Sequence, residues 1–515
     1  MNEIQLFRAL ANEVKHGIID HNSFLEYYDL IKDKGRDELM EIITQVKTWL
    51  GHDIYADVYI YSFINYVFPG IDTVRGYLVR VMNSDELTWE NLYFLSQQIS
   101  VYMFVNAALD DYELICLNWK LYKKAFMKCK EQLNMDLTRI PLSARNKNVH
   151  LVITDQFLTD SHGPTKTALD RCLTLKKNRG EVLLLNTAEC LTPIGGLNVF
   201  ARYKPGFDEK YSDYTSVEWK NVKISFFQCN YIVNIEIMRA LLQKIIDLKP
   251  QTVTVVGSMS LFAGLVNELI PAVNISTTQS GIVLTMTDYQ AVCLRKNDTV
   301  NVDNIDKLLE DVGVRKDHII NGKFTFSLKE QMHSYTRKQI GIEEKAFVLV
   351  IVGGRLKYEI DDKLLTMLDQ CVKEYNDIRV MILGEYNNEK LPQLYGNLNN
   401  NLMCMGFCED VLAYMENCDL YINPIRKGGG TSVVEALFKG VPAVAVDFGD
   451  VAGIAGDRFV CNSYDEMKDL IIKYYKDKDF YQEQSEYAKK LAEEWMDSDK
   501  EFIRIIDEYL RRQEV

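Results

Sequence analysis

Apolar residues recur at helical spacing along roughly the first 140 positions of the chain. They fall at the i, i+3, i+4 intervals that put apolar side chains on one face of a helix. The clearest set is Leu39, Ile42, Ile43, Val46 and Leu50. Only one proline, Pro69, interrupts this part of the sequence. The pattern predicts an all-helical N-terminal domain over residues 1–145.

From Asn148 the pattern changes to short apolar runs that alternate with helical patterns. Such runs are typical of strands buried on both faces of a parallel sheet. The first series comprises Val149–Thr154, Val182–Asn186, Val222–Phe227 and Thr252–Val256. The second comprises Phe347–Val352, Ile378–Leu383, Leu402–Met405, Leu420–Asn423 and Ala443–Val446. Two such series predict two doubly wound, Rossmann-like α/β domains, over residues 146–335 and 336–515.

Between the two series, the polar segment Asp298–Glu344 is interpreted as a connector, and the tail from Tyr464 to Val515 as helical. Ligands of open parallel sheets bind beyond the carboxyl ends of the strands. With two such domains facing each other, the predicted active site is the cleft between them.

Composition and charge narrow the choice of function. The 515 residues include 47% hydrophobic and 26% charged residues, as in soluble globular proteins. With 59 Lys and Arg against 73 Asp and Glu, the net charge of −14 argues against nucleic-acid binding.

The N-terminus lacks the features of a secretory signal, and no apolar stretch is long enough to span a membrane. The 11 scattered cysteines suit a reducing compartment, so a cytoplasmic location is predicted. Cys404 and Cys408 lack a second pair at zinc-site spacing, and no metal site is predicted.

The segment after the strand Leu420–Asn423 is rich in glycine. Its core, Gly428-Gly429-Gly430-Thr431-Ser432, stands where a helix is predicted to begin. Glycines allow close approach of a ligand, while hydroxyls and free N–H groups at a helix start can bind a pyrophosphate. Glu435, one turn further along, can accept hydrogen bonds from a ribose diol. The alternative is a tight turn with an ordinary helix cap.

The segment Asn423–Val446 resembles the nucleotide-sugar half of GT-B glycosyltransferases. It is most similar to the O-GlcNAc transferase family and its bacterial relatives, the cytoplasmic protein N-glucosyltransferases. That family has Gly-His-Thr-Thr, then an acidic residue, then Gly-x-Pro. Here the corresponding residues are Gly429-Gly430-Thr431-Ser432, Glu435 and Gly440-Val441-Pro442.

The match departs from the family at one point. Gly430 replaces the family's histidine, which removes one phosphate or sugar contact. Retaining GT-B enzymes, which carry two glutamates eight residues apart, offer a competing match. Glu435 fits the second, but Lys427 occupies the place of the first.

Further matches lie after the first strand of each α/β domain. Ser161-His162-Gly163-Pro164-Thr165 resembles the family's His-Pro-Thr, with Gly163 inserted. The resemblance implies that His162 and Thr165 face the sugar and the acceptor, although a histidine near a helix start can equally be a structural cap. After Phe347–Val352, either Arg355 or Lys357 is implied to neutralise the departing diphosphate, with Lys363 as a further candidate. The alternative for these cations is solvent exposure at a strand end.

By position in the family, Gly406-Phe407 would seat the base and Asp450 would contact the sugar. The resemblance implies a metal-independent glycosyltransferase that moves a hexose or N-acetylhexosamine from a UDP-sugar to a protein side chain or glycan, with no cofactor. Residues 1–145 would then serve as a docking surface for the acceptor or a partner. The alternatives are a non-catalytic GT-B subunit that binds substrate protein for a partner transferase, and a nucleotide-sugar 2-epimerase. The donor sugar, the acceptor, the stereochemistry and the oligomeric state, a homo-oligomer included, stay open.

Overall fold

The computed structural model describes most of the chain after residue 69 and parts of the chain before it. The described residues are 33–50, 70–105, 111–160, 162–189, 206–230, 234–257, 259–277, 285–292, 305–325 and 328–514, with a few shorter pieces. Several residues of the predicted helical pattern near the N-terminus lie outside this part.

The described portion of residues 1–145 is helical. Its labelled helices are α1 (Arg36–Leu50), α2 (Ile71–Met82), α3 (Trp89–Val105) and α4 (Tyr112–Leu133). Apolar residues occur on all sides of α3, and almost every residue of its first three turns is buried. A helix of that kind must be covered on several sides. It packs against α4 and belongs to one core that continues into the first sheet.

The first α/β domain is built on an eight-stranded sheet. Its strands are β1 (Asn146–Thr154), β2 (Glu181–Asn186), β3 (Ser216–Trp219), β4 (Val222–Gln228), β5 (Pro250–Val256), β6 (Ala272–Ile275), β7 (Tyr289–Val292) and β8 (Ile319–Asn321). Its helices are α5 (Gly163–Asn178), α6 (Ile235–Leu248), α7 (Leu261–Leu269) and α8 (Ile305–Asp311). The strand order is β3-β4-β2-β1-β5-β6-β7-β8, with only β3 antiparallel to its neighbour. This is the doubly wound arrangement that the sequence predicts.

The connector prediction for Asp298–Glu344 was too broad. Part of this segment forms α8 and the edge strand β8, which pairs with β7 in parallel. A three-residue strand with one fully buried side chain, Ile320, is too short to give a recognisable sequence pattern.

The second α/β domain has six parallel strands in the order β11-β10-β9-β12-β13-β14. They are β9 (Phe347–Val352), β10 (Ile378–Leu383), β11 (Leu402–Cys404), β12 (Leu420–Asn423), β13 (Ala443–Val446) and β14 (Val460–Cys461). Its helices are α9 (Leu356–Glu359), α10 (Asp362–Glu374), α11 (Leu391–Leu394), α12 (Gly396–Asn401), α13 (Val411–Met415), α14 (Gly430–Phe438), α15 (Gly449–Ala455), α16 (Tyr464–Lys476) and α17 (Lys478–Met496). The order reverses between β9 and β12, which is where doubly wound sheets bind ligands.

The last helix, α18 (Ser498–Arg511), returns to the first domain. Its apolar residues Phe502, Ile505, Ile506 and Tyr509 share a core with α5 and the strands of the first sheet. The sequence assigns residues 336–515 to the second domain, whereas the structure packs the end of that range on the other sheet.

No helix in the described part of the chain has the length and apolar character that crossing a membrane requires. The predicted fold class is confirmed: a helical N-terminal region precedes two α/β units with parallel-dominated sheets.

Candidate active site

The glycine loop between β12 and α14 has a backbone that only glycine fits. Gly429 caps α14 with a φ of 108°, and a β-carbon there would lie 2.8 Å from Nη2 of Arg426. The first backbone hydrogen bond of the helix runs from the N–H of Val433 to the carbonyl oxygen of Gly429. The N–H groups of the three residues before Val433 therefore have no acceptor within the helix, and together with the helix dipole they can bind an anion.

The two hydroxyls at the helix start have different surroundings. Ser432 is buried, and its Oγ lies 2.9 Å from the hydroxyl of Tyr421 and donates to the carbonyl oxygen of Gly429 at 3.0 Å. This hydroxyl holds the loop against β12. Thr431 is half-buried, and its side chain forms no hydrogen bond to any described residue. Thr431 is the hydroxyl that remains available to a ligand.

A buried arginine that was not predicted from the sequence supports the glycine loop. Arg426 donates to Oδ1 of Asn423 at 2.8 Å, to Oε2 of Glu359 at 2.8 Å, to the carbonyl oxygen of Val352 at 2.7 Å and to the hydroxyl of Tyr421 at 3.1 Å. These bonds join the ends of β9 and β12 to the loop. Burial alone would raise the pKa of Glu359, but Arg426 and then Arg355 outweigh it and hold that pKa below its ordinary value.

Arg355 lies beside the glycine loop. Its guanidinium is 3.0 Å from Oε1 of Glu359, and a β-carbon on Gly428 would lie 3.2 Å from its Nη2. The structure therefore brings this predicted cation to the loop. Lys357 and Lys363, the other candidates, are exposed, and neither forms a hydrogen bond or an ion pair within the described residues.

Glu435 lies on α14 one turn beyond Thr431 and is half-buried. Its carboxylate forms no hydrogen bond or ion pair within the described part of the chain. Burial raises the pKa of Glu435 to about 6, while Lys166 on α5 and Lys329 in the connector oppose the rise. Because Lys166 belongs to the first α/β domain, the carboxylate lies within the electrostatic reach of the facing domain.

His162 and Thr165 contact each other at the start of α5. Nδ1 of His162 is 3.0 Å from Oγ1 of Thr165, and the latter accepts the backbone N–H of Leu158 at 2.9 Å. His162 occupies the N-cap position, but its side chain does not cap the helix. Thr165 is fully buried, so it acts within the structure by holding the histidine and the preceding loop.

The remaining predicted residues lie on neighbouring loops. Asp450 is buried at the start of α15, and its Oδ2 is 3.8 Å from the position of a β-carbon on Gly430. Gly406 has a φ of 69° and accepts the N–H of Gly384 at 2.8 Å. Phe407 is 72% exposed, which leaves its ring accessible. Among the described residues, no group of three or more potential metal ligands is found.

Comparisons with known proteins bear on the fold and on the family of the second α/β domain. Residues 334–491, most of the second α/β domain, match the family described as Glycosyl transferases group 1. The structure is similar to that of a mutant of the O-GlcNAc transferase of Thermobaculum terrenum, with a TM-score of 0.57 and 12% identity. The match covers 99% of this chain and 97% of that one. A structure of HepE from Anabaena in complex with UDP and glucose matches 70% of this chain and 99% of its own, with a TM-score of 0.48 and 14% identity. No curated protein sequence matches the chain.

The two kinds of match bear on different properties. The O-GlcNAc transferase likeness extends over nearly the whole chain and shows the fold. The family match covers the domain that carries the glycine loop and supports glycosyl transfer. The resemblance to GT-B glycosyltransferases is therefore confirmed: the chain has the GT-B fold, and its C-terminal α/β domain matches the group 1 glycosyl transferases.

Proposed function

We propose that this protein transfers a hexose or an N-acetylhexosamine from a UDP-sugar to a protein side chain or a glycan. The observation that carries the proposal is the grouping around one helix start. A set of N–H donors with no acceptor in the helix, the hydroxyl of Thr431 and the guanidinium of Arg355 lie along or beside α14. The carboxylate of Glu435, which has no ion-pair partner among the described residues, lies on the same helix. The N–H donors, the hydroxyl and the guanidinium suit a diphosphate, and the carboxylate suits a ribose.

In the proposed reaction the bond between the sugar C1 and the diphosphate oxygen breaks, and UDP leaves with the bonding electrons. Negative charge accumulates on the diphosphate as the bond breaks. Groups that are already aimed at that charge lower the barrier, since they need no reorganisation during the reaction. The N–H groups of α14 and Arg355 have this role, and Glu435 holds the ribose.

The acceptor supplies an O–H or N–H group, whose proton must be taken up as the new bond to C1 forms. His162 is the proposed residue for this proton or for orientation of the sugar, because it lies on the first α/β domain and is held by Thr165. The proposal includes independence of metal ions and a cytoplasmic location, as expected from the sequence.

The test is incubation of the purified protein with a panel of UDP-sugars, with release of UDP recorded in the presence and absence of cell lysate. We expect lysate-dependent UDP release with one donor class, unchanged by a metal chelator. Calorimetry with UDP provides the second measurement. A chain that neither binds UDP nor releases it from any donor would contradict the proposal and would favour the non-catalytic alternative.

A further inference from the structure

The N-terminal helical region contacts the second α/β domain at the predicted diphosphate loop. The ring of Phe104, in the last turn of α3, lies over Arg355 with its centroid 4.6 Å from the guanidinium carbon. The same ring approaches the glycine loop, since a β-carbon on Gly428 would lie 3.7 Å from Cζ of Phe104. The ring of Phe104 therefore lies beside both the cation and the loop.

Helix α3 is hydrogen-bonded to the first α/β domain. The hydroxyl of Tyr93 donates to the carbonyl oxygen of Met259 at 2.9 Å, and Oγ of Ser100 lies 2.7 Å from the sulfur of Met259. Met259 follows β5 and precedes α7, so these bonds hold α3 at the carboxyl end of the first sheet. Phe104 therefore lies on a helix that is bonded to the first domain, and its ring contacts a cation of the second.

The contact restricts a flexible side chain. Arginine has several rotatable bonds, and holding its guanidinium in one place costs conformational entropy. In this protein Oε1 of Glu359 holds one edge of the guanidinium and the ring of Phe104 covers one face. Nη1 has no hydrogen-bond partner within the described residues. The N–H groups of Nη1 can therefore donate to an anion on the side of the guanidinium that faces away from Glu359.

We propose that Phe104 is a positioning residue that holds Arg355 over the glycine loop for the diphosphate of a nucleotide donor. The helical region then completes the donor site when the two α/β domains meet, in addition to any role in docking an acceptor. The inference rests on the proposed function and assigns a new residue to it. It requires an aromatic ring at position 104, because only a ring presents a negative face to the cation.

The experiment is calorimetric titration of the full chain with UDP. The variants are Phe104→Ala, Phe104→Leu and Phe104→Tyr, with thermal unfolding of each to verify folding. The matched control is Phe227→Ala, which removes an exposed aromatic ring that also faces a cation, Lys244, at 5.7 Å on another surface. We expect about tenfold weaker UDP binding for the Ala and Leu variants, and unchanged binding for the Tyr variant and the control.

A double variant separates positioning from general packing. If Phe104 acts through Arg355, Phe104→Ala should add no further loss of affinity in an Arg355→Ala background. Wild-type affinity in both Phe104→Ala and Phe104→Leu would overturn the inference and leave the proposed function standing. Tighter UDP binding by those variants would also overturn it, because the ring would then be occupying the place of the diphosphate. Failure of the wild-type chain to bind UDP would overturn the inference and the proposed function together.

Discussion

Glu359 and Arg426 form an ion pair beneath the glycine loop, with Oε2 and Nη1 2.8 Å apart and only 4% and 5% of their side chains exposed. Two charges so far from solvent have lost most of their hydration. Each is compensated by the other and by further hydrogen bonds, since Arg426 also binds Asn423, Tyr421 and the backbone of β9. The pair therefore determines where the loop lies relative to the strand ends.

Removal of one partner should be costly. We expect Glu359→Gln to lower the free energy of unfolding by about 3 kcal/mol, because Arg426 is left as an uncompensated buried charge. The measurement is urea denaturation. Since the folded pKa of Glu359 lies below its ordinary value of 4.5, the stabilisation should be complete above pH 4.5 and be lost as the pH falls further. The control is Glu483→Gln at the exposed pair with Arg458, where a change above about 1 kcal/mol would contradict this explanation.

The second prediction concerns which cation serves the diphosphate. Arg355 lies at the glycine loop, whereas Lys357 is exposed and unconnected to it within the described residues. We expect Arg355→Ala to reduce kcat about 10²- to 10³-fold and Lys357→Ala to reduce it less than tenfold. Steady-state UDP release with the best donor of the panel measures both. A larger loss for Lys357→Ala would assign the leaving-group role to the lysine.

The third prediction is a pH dependence of donor binding. A ribose diol donates to a carboxylate, so the ionised form of Glu435 is the one that binds. With the pKa of Glu435 raised to about 6, protonation below that pH should weaken binding by about tenfold between pH 7 and pH 5. The ligand for calorimetry should be an intact UDP-sugar, because the terminal phosphate of UDP itself titrates near pH 6.

The matched variant for this pH series is Glu435→Gln, which keeps the shape of the side chain and removes its titration. Its donor affinity should be low and nearly flat over the same range of pH. If the variant retained the wild-type pH profile, another group would be responsible and the ribose role of Glu435 would have to be abandoned.

Much of the fold was predictable because parallel strands buried on both faces appear as continuous apolar runs. Phe347–Val352 and Thr252–Val256 are examples, and both lie in strands of the structure. The short strands β3 and β8 lack such runs. The sheet on which α18 packs could not be predicted from the sequence either. An apolar stripe shows that one face of a helix is buried but not which sheet covers it.

The residues of the site that could be predicted are those that lie close together in the sequence. Gly429, Thr431 and Glu435 are neighbours in the chain, so their common placement at one helix start could be inferred from spacing alone. The contacts of Arg355 with Phe104 and of Arg426 with Glu359 and Val352 join residues far apart in sequence, and no local pattern connects the members of these pairs. One signal was available: Glu359 follows Arg355 by four residues, which is the spacing of an ion pair on a helix.

The last prediction tests the return of the chain to the first domain. Phe502 on α18 is 1% exposed and lies under the guanidinium of Arg171 on α5, with 5.1 Å from the guanidinium carbon to the ring centroid. We expect Phe502→Ala to cost about 3 to 4 kcal/mol of stability through the cavity it leaves. Hydrogen exchange should show faster opening in α5 and unchanged protection in α10 of the second domain.

The matched control for Phe502→Ala is Phe480→Ala on α17. The half-buried ring of Phe480 packs on Tyr474, 4.9 Å between centroids, and against the core of the second domain. This variant should loosen α10 and leave α5 protected, because its helix is covered by the other sheet. If both variants accelerated exchange in the same domain, α17 and α18 would share one sheet. The division of the C-terminal helices between the two domains would then be wrong.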